Sequence, residues 1–154
     1  MKKVFLCVVV ALLAGGCNSE DGGGSPTDPS QVNIQFSTTD LVVGTGAEAV
    51  APNRATTNFE LWLYNAAGTA SKGTRIQGSD TAGPISIVVG TGQIVGTSQQ
   101  VIPGFEQGVR GMRVGGKRRI YIPPNLAWGS TGTQQIPPNA SVVFEVELTA
   151  VVVP

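Results

Sequence analysis

From Val32 to Ala150 apolar and polar residues alternate in short runs, and this period of two constrains the fold more than any other feature. Val32, Ile34 and Phe36 alternate with polar neighbours. Phe59, Leu61 and Leu63 occupy one face of TNFELWLY, with Trp62 and Tyr64 on the other. Ile85 and Ile87 flank Ser86 ahead of Val88 and Val89, and Ile120 and Ile122 alternate with Arg119 and Tyr121. In the last run Phe144, Val146, Leu148 and Ala150 share a side, while Glu145, Glu147 and Thr149 take the opposite one. Successive strand residues point to opposite faces, so such runs predict an antiparallel sheet with one face on a core and one in water. A single segment departs from period two. Between Pro103 and Met112 the apolar Phe105, Val109 and Met112 fall at i, i+4 and i+7, the spacing of one helical face. Pro103 suits the first helical position, where its missing N–H would have no partner anyway. Gly108 and Gly111 weaken a helix by about 1 kcal/mol each relative to Ala, so packing must hold it, and glycine lets it approach a sheet closely. The simplest architecture is α+β, a curved antiparallel sheet wrapped around one short helix.

The first residues follow other rules. Met1-Lys2-Lys3 is a positive start, and Val4 to Leu13 is an apolar run of ten, too short for the roughly 20 residues of a spanning helix. It ends Leu13-Ala14-Gly15-Gly16-Cys17, which resembles the bacterial lipobox. That likeness implies cleavage after residue 16 and lipidation of Cys17. One acyl chain holds a protein only marginally, so a triacyl group at Cys17 makes sense as a tether. Residues 17–31 contain no apolar residue beyond the cysteine and read as a lipidated flexible spacer. Residues 32–154 form the folded domain. Asn18 after the cysteine resembles an outer-membrane sorting signal, so an envelope location is expected, on the periplasmic side of the outer membrane in a Gram-negative host.

The inventory of reactive groups is short. The two cysteines are Cys7, inside the expected leader, and Cys17, and the 154 residues include no histidine. Catalytic triads, imidazole bases, thiolate chemistry and ordinary zinc sites have no residues to build them. No cofactor or metal is expected. Removing residues 1–16 takes away Lys2 and Lys3 and leaves eight basic against ten acidic side chains. That balance argues against nucleic acid. Arg110, Arg113, Lys117, Arg118 and Arg119 do cluster, as a solvated face or as a contact for anionic lipid headgroups.

Three stretches carry a resemblance to a known family: DLVVGTGAEA from Asp40, VIPGFEQGVRGMRVGGKRRIYIPPNLAWGS from Val101, and IPPNASVVFEVEL from Ile136. They are similar to the FKBP family of peptidyl-prolyl cis-trans isomerases, and the likeness runs from about Asp40 to Val151. It implies a half-barrel sheet with the helix against its concave side and a substrate pocket between them. Val101 and Ile102 match the family, in which the isoleucine's backbone N–H holds a substrate carbonyl and its side chain walls the pocket. Ile136 and Phe144 match the flap isoleucine and the inward phenylalanine of the last strand. Phe105 stands where a pocket-floor tryptophan is usual, Phe59 where a tyrosine is, and Trp128 replaces a tyrosine whose hydroxyl donates to substrate. Gln100 takes a position of variable polar identity. Between Tyr64 and Pro84 the chain departs from the pattern. Aligning Gly73 to Ser79 with the family's phenylalanine-aspartate-serine-serine puts Ile76 and Gln77 on its first two residues. A second alignment puts Ser71 and Lys72 there. Ile85 replaces another phenylalanine, and the loops at 65–72 and 91–99 are longer than usual.

The resemblance implies proline-containing polypeptides as clients, FK506-like macrolides as ligands, and a monomer. The site it implies consists of Phe59, Ile76, Gln77, Ile85, Val101, Ile102, Phe105, Trp128, Ile136 and Phe144. Taken by position alone, aromatic and aliphatic residues at strand spacing are more often core. Two other readings stand beside the enzyme: a non-catalytic proline-binding or chaperone lipoprotein with an altered pocket, and a surface lipoprotein whose enlarged loops contact a partner.

Overall fold

The computed structural model describes residues 28–154. The expected leader, Cys17 and the spacer up to residue 27 lie outside the described residues. Seven strands, β1 (Ser37–Val42), β2 (Arg54–Tyr64), β3 (Lys72–Gly78), β4 (Ile85–Val88), β5 (Gln93–Ile94), β6 (Lys117–Ile122) and β7 (Val142–Val152), form one antiparallel sheet. Its order is β1-β6-β7-β2-β4-β5, with β3 also paired to β2. A single helical turn, α1 (Ser79–Ala82), and a two-turn helix, α2 (Pro103–Val109), complete it. The open antiparallel sheet with a short helix is the α+β architecture that the alternation predicts.

The sheet is organised on β2 and β7, each 11 residues long and paired from Arg54 opposite Val152 to Leu63 opposite Val142. Their inner faces bring Ala55, Thr57, Phe59 and Leu61 opposite Val151, Leu148, Val146 and Phe144. Phe59, Leu61, Phe144, Val146 and Leu148 are all buried. One residue expected on this side is not there. The pairing shifts between Thr56 and Thr57, which face Ala150 and Leu148, so Thr149 is an extra residue in β7. A bulge of this kind reverses the side of everything beyond it. Val151, not Ala150, therefore packs on the core.

Helix α2 lies across Ile120 and Ile122 of β6. A methyl group added to Gly108 would overlap Ile120, and one added to Gly104 would overlap Ile122. The expected helix continues to Met112, but α2 stops at Val109. Gly111 adopts φ +76 and donates its N–H to Ala49 O at 2.9 Å, which turns the chain out of the helix. Met112 is still buried, because the turn delivers it to the same core.

At the N-terminal end Val32, Ile34 and Phe36 do not form a strand of the sheet; the paired segment starts at Ser37. Phe36 still packs against the core, whereas Val32 is exposed. Alternation reports facing and not pairing. Upstream, within the stretch read as spacer, Ser30 is buried and accepts a hydrogen bond from Ser141 N–H at 2.7 Å.

The outer face of the sheet is not wet throughout. Trp62 and Val143 are buried there, paired with each other across β2 and β7. Lys72 Nζ sits 4.1 Å from the Trp62 ring centroid, and Tyr121 OH donates to Ala70 O at 3.4 Å. Glu145 accepts from Lys72 Nζ at 3.0 Å and from Arg119 at 2.7 Å. Burial disfavours the Glu145 carboxylate, but the hydrogen bonds and charges of Lys72 and Arg119 outweigh it and hold its carboxyl below the ordinary 4.5.

Two measurements test this packing. Gly108→Ala should lower the unfolding free energy in urea by about 1–3 kcal/mol through overpacking, although alanine favours a helix interior by about 1 kcal/mol. For Glu145, the unfolded chain takes up a proton at a pH where the folded carboxylate does not, so stability falls as pH drops through 4.5 and below. Glu145→Gln should be less stable at pH 7 and show a shallower loss between pH 6 and 3, read from thermal midpoints across that range.

Candidate active site

The inner face of the sheet and α2 enclose a hollow of about 160 Å³. Three phenylalanine rings make its floor, one each from β2, α2 and β7. Phe105 meets Phe144 and Phe59 edge to face, with centroids 5.2 and 6.4 Å apart, and Phe59 and Phe144 lie tilted at 6.1 Å. Edge-to-face contact suits the ring quadrupoles and fixes each ring against its neighbours. Leu61 extends the floor, Ile85 of β4 and the Val101–Ile102 corner wall it, and Trp128 closes another side. The polar side chains of the lining are the amides Gln77 and Gln100, both exposed at the rim.

The surrounding loops are held in place. Pro124–Leu126 forms a turn of tight helix; Gly129 N–H donates to Pro124 O at 2.9 Å and Asn139 N–H to Gly129 O at 2.8 Å, so Trp128 sits on a closed loop. On the other side Val101 N–H donates to Gly92 O at 2.9 Å. Glu106, buried on α2, accepts from Gly90 N–H at 2.8 Å and from Arg110 at 2.9 Å. That carboxylate ties the start of the 91–99 segment to the helix that carries Phe105. Among the described residues Ile102 N–H has no acceptor. It sits at the first corner of α2, beside the hollow that its own side chain lines.

Eight of the ten residues expected at the site line this one hollow: Phe59, Gln77, Ile85, Val101, Ile102, Phe105, Trp128 and Phe144. Ile76 and Ile136 do not. Ile76 falls in a bulge of β3, between the pairs Leu61–Gln77 and Trp62–Arg75, and packs against the core beside the floor. Ile136 is buried in the core, its N–H bonded to Thr133 Oγ1 at 3.0 Å. The same bulge gives Gln77 its place opposite Leu61, whereas Lys72, the product of the second alignment, lies over Trp62 on the opposite face. The structure adds Leu61, and it brings Gln100, which the resemblance marks only as a variable polar position, onto the lining. Leu61 shares its inward face with Phe59 in the alternation, and that signal would have found it. Gln100 has no pattern of its own beyond preceding Val101.

Elsewhere most charges of the described residues are paired. A hollow of about 470 Å³ on the outer face is lined by Glu60, Asp80, Lys117, Glu145 and Glu147, but each of these is within an ion pair. Each member of the basic cluster also has a carboxylate: Arg110 with Glu106, Arg113 with Glu48, Lys117 with Glu147, Arg118 with Asp40 and Arg119 with Glu145.

A half-barrel with a dry aromatic pocket, a free backbone donor at its edge and no nucleophile, acid or base in the lining defines a class. Such a lining offers an apolar surface with amides at its rim and no side chain that would take or give a proton. Residues 46–149 match the family described as FKBP-type peptidyl-prolyl cis-trans isomerase. The chain belongs to that family, whose members are peptidyl-prolyl isomerases. It is 39% identical over 114 residues to an "FK506-binding protein" of Neisseria meningitidis serogroup A, covering 73% of this chain and 92% of that one. It is 36% identical over 113 residues to a chloroplastic peptidyl-prolyl isomerase of Arabidopsis thaliana, FKBP16-4, covering 73% of this chain and 46% of that protein. The crystal structure of FkpA from Escherichia coli superposes with a TM-score of 0.59 at 30% identity, over 75% of this chain and 47% of FkpA. The chain thus spans about half the length of the latter two relatives and nearly all of the neisserial one.

Proposed function

We propose that this chain catalyses cis-trans isomerisation of X-Pro bonds in polypeptide clients, using the three-phenylalanine pocket to hold the proline ring. The carrying observation is the junction of that dry floor with the unpaired Ile102 N–H. Rotation about the amide faces a barrier of about 18–20 kcal/mol, because resonance keeps the bond planar. The planar amide is the more polar form and is favoured by water, so transfer to an apolar pocket favours the twisted one. Phe59, Phe105 and Phe144 would exclude water from the proline. Ile102 N–H would hold one flanking carbonyl so that only one side of the bond turns. Trp128 supplies an indole wall and an N–H donor in place of the family's tyrosine. A thousandfold acceleration needs only about 4 kcal/mol, within reach of desolvation and one or two fixed hydrogen bonds.

Gln77 marks the second reading. The family's aspartate position carries an amide here, which favours a module that binds proline without accelerating its rotation. Its Oε1 and Nε2 can still hydrogen-bond at the rim, so a lowered rate fits the geometry better than a lost one. FK506-like macrolides, with a ring of proline size beside paired carbonyls, are the competing ligands this pocket suits. We also propose an envelope location with a lipid at Cys17, as the run from Val4 to Cys17 implies.

The purified chain should accelerate cis-to-trans relaxation of proline tetrapeptides, and FK506 should inhibit it. Trp128→Ala should lower kcat/KM at least tenfold, about 1.4 kcal/mol of transition-state stabilisation, with little change in thermal midpoint because Trp128 is only partly buried. Peptide binding without acceleration would select the binding module instead. In a bacterial host, Cys17→Ala should abolish incorporation of labelled palmitate and move the protein from the membrane pellet to the supernatant. Continued labelling of that variant would remove the anchor reading.

A further inference from the structure

A second groove, of about 740 Å³, lies behind the loop that carries Trp128. One side is the extended segment Gln31–Phe36, and the other is the Pro123–Ser130 loop. None of its lining residues is charged. Ile34, Phe36 and Leu126 give it an apolar base, while Asn33, Gln35 and Asn125 project amides around it. Its volume lies within the roughly 300–1,000 Å³ of ligand sites.

We propose that this groove is a second subsite for the client polypeptide, holding an extended, uncharged stretch of the chain that flanks the proline. Three observations select that occupant. Asn33, Ile34 and Gln35 make no main-chain hydrogen bond to the other described residues, so their N–H and C=O groups are free to pair with another extended backbone. Amide side chains both donate and accept, which suits a peptide backbone whatever its side chains, and the lack of charge disfavours an ionic ligand. The groove also lies on the same loop as the prolyl pocket. One closed turn separates them, with Trp128 lining the pocket and Leu126, Gly129 and Ser130 lining the groove. The proposal rests on the isomerase reading for the direction of the client, and its test separates the two.

The test compares a proline tetrapeptide with an uncharged 14-residue peptide containing the same central sequence, on the purified chain and on Asn33→Ala/Gln35→Ala. Both substituted positions are exposed, so the variant should fold, as a far-ultraviolet spectrum can verify. The long peptide, carrying a fluorophore, should bind at least tenfold more tightly than the short one, by anisotropy. The double variant should lose roughly that factor, the effect of two hydrogen bonds, while tetrapeptide turnover stays unchanged. Equal affinities for long and short peptides overturn the subsite, and so does an advantage that survives the double variant. If the variant instead changes self-association in sedimentation without peptide, the groove belongs to a second copy and the proposal falls. Variant-sensitive long-peptide binding without tetrapeptide turnover would uphold the groove and remove the catalytic reading alone.

Discussion

The closeness of α2 to the sheet is the constraint on which the site depends. Gly104 and Gly108 let the helix backbone settle onto Ile122 and Ile120, where any side chain would force it outward. Only at that depth does Phe105 meet Phe144 at 5.2 Å and Phe59 at 6.4 Å. The β2–β7 ladder fixes the other two rings, since Phe59 pairs with Val146 and Leu61 with Phe144 in an unbroken register. A helix held away by one methyl would leave the floor open to water. The glycines that cost helix propensity are thus the ones that make a dry pocket possible.

Dryness is the chemistry here. An X-Pro amide resists rotation because its planar form is stabilised, and water adds to that stabilisation. A catalyst for this reaction needs no residue that gains or loses a proton. Isomerisation of this kind makes no demand on histidine, which the chain lacks, or on cysteine, which it carries only at positions 7 and 17. What the mechanism does need is one aimed donor and rigid walls. In the proposed mechanism Ile102 N–H is the first. The second comes from hydrogen-bonded loops: Glu106 holds the Gly90 backbone against α2, and the turn from Pro124 to Gly129 fixes Trp128.

The sheet and the helix were legible because burial imposes periods on the sequence, of two for strands and near 3.6 for helices. Those periods report which way a side chain faces. They are silent on three things that the structure decides. Pairing is one: Ile34 and Phe36 alternate properly yet belong to no strand. A bulge is another, since the extra Thr149 exchanges Ala150 for Val151, and the bulge at Ile76 moves that side chain off the pocket while placing Gln77 on it. The third is depth. Ile136 and Leu61 look alike as apolar positions, but one lies under the surface of the core and the other at the floor of the hollow. Resemblance named eight of the ten residues that line the hollow, because aligned positions inherit depth along with identity; Ile76, in a bulge, and Ile136, in the core, pack outside that lining.

The two long loops bear on how far the altered wall can have drifted. The 91–99 segment begins with β5, which pairs with β4 and so widens the sheet, and Gly92 holds Val101 at the pocket's corner. On the outer face Lys72 stands over Trp62, and the loop before it takes a hydrogen bond from Tyr121 OH at Ala70 O. Each segment is therefore anchored on its own domain, although six of the nine residues of 91–99 are exposed, and each lies next to a residue of the site: one beside Gln100, the other leading into the strand that carries Gln77. Under the alignment that puts Gln77 on the family's aspartate, segments anchored this way flank the wall in which an amide takes the carboxylate's place. Gln77 and Gln100 consequently present a neutral rim on a firm edge, and a neutral rim neither repels nor selects charge next to the proline. The same lack of charge continues through the groove behind Trp128. From pocket to groove, the surface that would meet a client is apolar at its base and amide at its edge, which fits recognition of polypeptide backbone more than of any particular side chain.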